Sequence, residues 1–280
     1  MKELVAAGVL VFAVVATGCA ASATWPRVVP IAEVRAPAVR RGEWIANDEE
    51  ALASIAAVMS RDLGLPEPQA SLVFHRDRDA FRLALEADGY DPAFARQTAQ
   101  TLAAVSGFRR VLINDAALQE LPWPYRIALL AHELTHTIQY EWGGGVRGSS
   151  EQWLREGFAD WVEMETLVAL GFTTRERARA TVVRRLREDG VARTPPSLAQ
   201  MVTFPEWVTL VQRFGEEATY GYAMIAAQLL LERHGLARTI AYFELFAGSS
   251  DRVANFRRAF GEELPEFESA LRVHLGELLR

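Results

Sequence analysis

His132-Glu133-Leu134-Thr135-His136 sets the reading of this chain. Residues four apart on an α-helix share a face with their Cβ atoms about 6 Å apart, so both imidazoles can turn toward one metal ion. Glu133, on the adjoining position, then stands beside the metal rather than on it, where a general base is needed. The helix is signalled on both sides of the motif. Pro124 suits a first turn, Ile127 to Ala131 supply an apolar face, and Gly143-Gly144-Gly145 ends it. Zinc with three protein ligands keeps a fourth position for water, whose pKa it lowers from about 15.7 toward about 7. A third protein ligand must therefore come from elsewhere.

Trp153-Leu154-Arg155-Glu156-Gly157-Phe158-Ala159-Asp160 supplies it. Ser149 and Gln152 have the spacing of a capping pair that opens a second helix, on which Glu156 and Asp160, four apart, share a face. Glu156 is expected to complete the zinc shell. Asp160 is expected to accept the far N–H of a ligating imidazole, fixing its tautomer. Arg155 reads as a solvated charge.

These two stretches, HELTH and WLREGFADW, resemble the gluzincin metallopeptidases, the thermolysin-like and aminopeptidase-N-like enzymes, and most closely the small bacterial peptidase-MA-like domains. Glu156 follows His136 by twenty positions, the thermolysin-like interval. The wording around it is similar to the aminopeptidase-N-like pattern, whose interval is one residue shorter, a difference the Gly143 to Gly145 loop can absorb. The resemblance covers roughly 65 to 275 and is specific at 132 to 160. It implies Zn2+ as cofactor, a peptide or protein substrate, and a two-lobed α+β fold with the metal between the lobes. Thr219-Tyr220-Gly221-Tyr222-Ala223, running into Leu229-Leu230-Leu231, resembles the helix that presents a tyrosine to the oxyanion. This gives Tyr220 that role, with Tyr222 as the alternative. The segment Arg109 to Asn114 lacks the Gly-x-Met-Glu-Asn stretch with which aminopeptidases hold a free amino terminus, so aminopeptidase activity is not implied. In related folds such a strand is the upper edge of the active site, where a peptide adds as a further strand.

The chain has 280 residues, half of them apolar, enough for a substantial core. A net charge of −6 with no basic cluster argues against nucleic acid as a partner. Lys2 is the only lysine. It precedes an apolar run, Leu4 to Val15, and then Ala16-Thr17-Gly18-Cys19, similar to a bacterial lipoprotein signal in which cleavage leaves a lipidated Cys19. Cys19 is also the only cysteine. Two other readings stay open: ordinary secretory cleavage at Ala21-Ser22-Ala23, or retention of the run as a membrane span. All three place the body of the protein outside the cytoplasm, in the cell envelope.

The resulting layout is a signal peptide over 1–18, a lipidated cysteine with an extended linker over 19–41, and a peptidase domain over 42–280. Pro26, Pro30 and Pro37 mark the linker. Asn47 with Glu50 opens a helix through Met59, Ser71 to His75 and Val111 to Asn114 read as strands, and Arg78 to Glu86 as a helix. Beyond Ser149 the pattern is helical: 150 to 170, 174 to 189, 197 to 202, 206 to 213, 217 to 234, 237 to 247, 251 to 260 and 264 to 278. His75, His234 and His274 have no partner at ligand spacing. The function expected is a zinc-dependent peptide-bond hydrolase outside the cytoplasm. The alternatives are an inactive envelope lipoprotein that uses the fold as a binding or assembly module, and a zinc hydrolase of non-peptide amides or esters.

Overall fold

Short continuous apolar runs, Leu72 to Phe74 and Val111 to Ile113, build the centre of the sheet. The computed structural model describes residues 25–145 and 150–280. The signal segment, Cys19 and Ser149 lie outside the described residues. In chain order the first half carries β1 (Arg27–Pro30), α1 (Asp48–Ala57), β2 (Ser71–His75), α2 (Arg78–Ala87), α3 (Pro92–Thr101), β3 (Ala104–Gly107) and β4 (Arg110–Asn114). The strands lie in the order β1-β2-β4-β3, with β2 and β4 parallel and the outer pairs antiparallel. Leu72, Phe74, Val111 and Ile113 point into the main core. Val105 and Leu112 point to the other face and meet Phe81, Leu85, Ala95 and Ala99 of α2 and α3. Both faces are thus covered, which parallel pairing favours.

Two expectations are corrected here. The stretch from Trp25 to Arg41 is not a tether. β1 pairs with β2, Ile31 is buried and donates its N–H to Ala70, and Val39 donates to the Ser54 hydroxyl at 2.7 Å. The folded domain therefore begins by Arg27. An edge strand that ends on Pro30 needs hydrogen bonds on one side only, so its prolines do not exclude it from the sheet. The segment 109 to 114 is not the sheet edge either, because β4 lies between β2 and β3. The edge on that side is β3, joined to β4 by a turn in which Arg109 adopts a left-handed φ of 57°.

α1 opens as read: the Asn47 side chain accepts from Glu50 N–H at 2.9 Å and the Glu50 carboxylate accepts from Ala46 N–H at 2.8 Å. The second half is helical throughout: α4 (Asp115–Glu120), α5 (Trp123–Trp142), α6 (Gln152–Ala169), α7 (Arg175–Glu188), α8 (Phe204–Phe214), α9 (Glu216–His234), α10 (Leu236–Leu245), α11 (Arg252–Phe260) and α12 (Leu264–Leu278). The class is mixed α+β, with every described strand before residue 115. One buried cluster runs from Ile31 to Leu275, so sheet and helices share a core. No described helix is long and apolar enough to cross a membrane.

Helix α6 starts differently from its reading. Its N-cap position is Glu151, whose side chain makes no capping bond. Its leading N–H groups instead donate to the carbonyls of Val202 and Met201, both at 2.9 Å. α6 lies against α9 so closely that a Cβ on Gly157 would sit 2.1 Å from the Ala223 carbonyl oxygen. The obstacle is backbone, so Gly157→Ala must push the helices apart. We expect a loss of about 3 kcal/mol, read as a lower denaturant midpoint at unchanged slope. A loss below about 0.5 kcal/mol would mean that the helix pair yields without strain.

Candidate functional site

α5 presents His132 and His136 on one face, their rings 4.7 Å apart and nearly perpendicular. α6 packs beside it and brings in Glu156 and Asp160. The Nε2 atoms of the two histidines are 3.0 Å apart, and Glu156 Oε2 lies 3.2 Å from His132 Nε2 and 3.3 Å from His136 Nε2. Tetrahedral zinc with bonds of about 2.0–2.1 Å needs donors about 3.3 Å apart, so this triangle has the size of half a zinc shell and more.

The hydrogen bonds behind the triangle fix what its corners are. His132 Nδ1 faces Asp160 Oδ1 at 2.9 Å, the role expected of Asp160, and His136 Nδ1 faces Gln139 Oε1 at 2.8 Å. The orientation of the Gln139 amide is set by its Nε2, which donates to the Arg155 carbonyl at 3.0 Å. In the neutral imidazoles, with both Nδ1–H groups donating, both Nε2 atoms carry lone pairs. Gln152 Nε2 donates to Glu156 Oε1 at 2.6 Å and turns Oε2 inward. This is the use of Gln152 in place of the capping pair. Three lone-pair atoms therefore converge on one point; a single proton can bridge only one pair, whereas a cation satisfies all three. His132, His136 and Glu156 form a group able to hold a metal ion.

Electrostatics point the same way. Burial works against a charged His132, yet its contacts with Asp160, Glu156 and Glu163 outweigh that and hold its pKa well above the ordinary histidine value. Burial likewise works against the Glu156 carboxylate, but the two histidines hold it well below the usual range. Burial raises Asp160 to about 6, opposed by its bond to His132. Carboxylates thus gather around the imidazoles, where a cation could be held.

Glu133 leaves this triangle and turns toward β3. Ser106 Oγ donates to the Glu133 backbone carbonyl at 2.9 Å and also contacts its Oε2, so strand and helix hold the carboxylate between them. From α9, Tyr220 brings its ring to 6.2 Å from that of His132 and rests edge-on against Trp207 at 4.8 Å. Burial, with Glu156 nearby, raises its pKa well above the ordinary phenol value and keeps it a hydrogen-bond donor. Tyr222 faces away, fully buried, with its hydroxyl donating to the Pro196 carbonyl at 3.0 Å. Packing thus separates the two tyrosines that the sequence left open.

A cavity of about 780 Å3 lies over these groups and is lined by His132, Glu133, His136, Glu156, Asp160 and Tyr220, but not by Tyr222. Among the residues that line it, Ser106, Gln139 and Tyr140 were not anticipated, and Gln152 was read only as part of a cap. Gln139 and Tyr140 follow His136 at i+3 and i+4, a spacing that could have found them. Ser106 comes from a strand the reading missed. Arg155 is half-buried rather than solvated: it donates to the Ser150 carbonyl at 2.7 Å and contacts Gln152 Oε1. Behind it, the Tyr242 hydroxyl binds Glu151, whose carboxyl is pushed by burial up to about 7. None of His75, His234 and His274 joins a metal-binding group among the described residues.

Comparison with protein-family models, curated proteins and solved structures finds no match for this chain.

Proposed function

We propose that this chain is a zinc-dependent hydrolase of peptide bonds with a gluzincin-type fold, exported and anchored through Cys19. The observation that supports this reading best is the convergence of three lone-pair donors at 3.0–3.3 Å, with both far imidazole nitrogens already bonded. The presence of Glu133 one position along the same helix adds a base at that point. Export and lipid attachment rest on the apolar run Leu4 to Val15 and the lone cysteine.

His132, His136 and Glu156 would hold the ion. When bound, zinc supplies Lewis-acid polarisation of the carbonyl and acidifies water. Glu133 accepts the proton of the attacking water and returns it to the departing amine, and Ser106 keeps its carboxylate in place between the two transfers. The Tyr220 hydroxyl donates to the oxygen on which charge develops, a bond that strengthens toward the transition state. β3, an outer strand of the sheet that lines the cleft from Ala104 to Ser106, offers main-chain groups on which an extended peptide can add as a strand.

Mass spectrometry of a peptide pool incubated with the zinc-loaded chain tests this reading. New termini should appear, vanish with a chelator and return with zinc. A pool left intact by the zinc-loaded protein would count against peptidase activity. The tyrosines separate further. Tyr220→Phe should lower kcat about 100-fold at unchanged zinc content, while Tyr222→Phe should leave kcat alone and cost about 1 kcal/mol of stability through its bond to Pro196. The reverse pattern would reassign the role.

A further inference from the structure

Toward the start of α5 the cavity wall is apolar: Tyr125 and Leu129 stand about two turns and one turn ahead of His132, and Leu102 and Leu121 also line it. Phe94 of α3 and Phe204, the first residue of α8, line the same cavity from opposite halves of the chain, and their rings meet edge to face with centroids 6.0 Å apart. Their helices belong to different neighbours, since α3 packs on α2 and α8 on α9. The ring pair is therefore a bridge between two parts of the molecule rather than a corner of a helix interface. A second ring holds Phe94, and a cap fixes the backbone at Phe204. Phe94 stacks on Tyr90 at 5.7 Å, and Phe204 follows the Thr203–Glu206 capping box, in which Glu206 accepts from the Thr203 N–H at 2.8 Å. Phe204 nevertheless stays 48 % exposed, so burial in the core does not account for its place.

We propose that the Phe94–Phe204 contact closes the apolar end of the cleft and limits how far a substrate chain can extend on that side. This rests on the hydrolase reading and names its substrate class: short peptides, or bonds near one end of a chain, rather than the interior of a long polypeptide. The cavity size agrees, because about 780 Å3 lies within the range of pockets that enclose small ligands, about 300–1,000 Å3, and holds only a few residues. A chain that runs past the rings must part them. Aromatic pairs of this kind contribute little individually, so the closure selects by length without sealing the site.

The test extends one cleaved peptide stepwise at either terminus and follows kcat/KM. Extension at one terminus should lower it about tenfold once the chain reaches the rings, and extension at the other should not. Phe204→Ala, and separately Phe94→Ala, should each remove most of that length penalty. Glu133→Gln, which should abolish cleavage at every length, ties the signal to the site. A second readout needs neither zinc nor turnover. Leu129→Cys on the cavity wall, in a Cys19→Ser chain, should react about tenfold more slowly with a bulky maleimide than with iodoacetamide, relative to a free thiol, and Phe204→Ala should erase the difference. Length-independent cleavage in the parent and both variants, or alkylation that ignores Phe204→Ala, would overturn the closure. If the zinc-loaded parent cuts no peptide while the alkylation contrast holds, the hydrolase reading fails and the closure stands.

Discussion

Glu133→Gln should retain one zinc per chain and lose about 10³ in kcat/KM on any cleaved peptide. The two halves of that result come from one piece of geometry. Glu133 is not a corner of the donor triangle; its carboxylate is turned to Ser106, while the triangle is made by His132, His136 and Glu156. An amide of the same shape leaves the metal donors and their hydrogen-bonded partners in place but cannot take up a proton at neutral pH. Zinc by atomic spectroscopy and products by mass spectrometry on the same sample read both quantities. Turnover equal to the parent's would remove Glu133 from the base role, and loss of zinc with turnover would make it a structural part of the site.

Glu156→Ala should abolish the metal response instead. The parent should gain about 2.7 kcal/mol at zinc one hundred times its dissociation constant, visible as a rise of a few degrees in Tm. Loss of a partner behind a metal ligand already costs about 10–100-fold in affinity, so loss of the ligand itself should exceed about 100-fold and flatten the response. Glu156 is fixed by Gln152 on one oxygen and faces both imidazoles with the other. No other described carboxylate stands in that place: Asp160 and Glu163 face His132 from its Nδ1 side. A Tm that still rises with zinc in Glu156→Ala, as far as in the parent, would show the ion bound elsewhere.

What could be read ahead of the structure follows from the range of the interactions involved. His132, His136, Glu156 and Asp160 were legible because helical periodicity alone puts each pair on one face. Ser106 was not, because it reaches Glu133 from 27 positions away on a four-residue strand with little pattern of its own. β1 was missed because its prolines look like linker, whereas an edge position tolerates them. Gln152 shows local spacing yielding to tertiary demand: its amide serves Glu156 one turn on, and the N–H groups at the helix start donate to the carbonyls of Met201 and Val202. Tyr220 and Tyr222, two residues apart, point about 200° apart on a helix, so one of them had to leave the cleft. Only the packing of α9 on α6 at Gly157 decides which.

Zinc K-edge X-ray absorption on the purified full-length chain tests the centre of this account most directly. One zinc per chain is predicted, with a shell of nitrogen and oxygen at about 2.0–2.1 Å and the outer scattering of two imidazoles. Failure of the chain to retain zinc after loading, or a spectrum with fewer than two imidazoles, would contradict it.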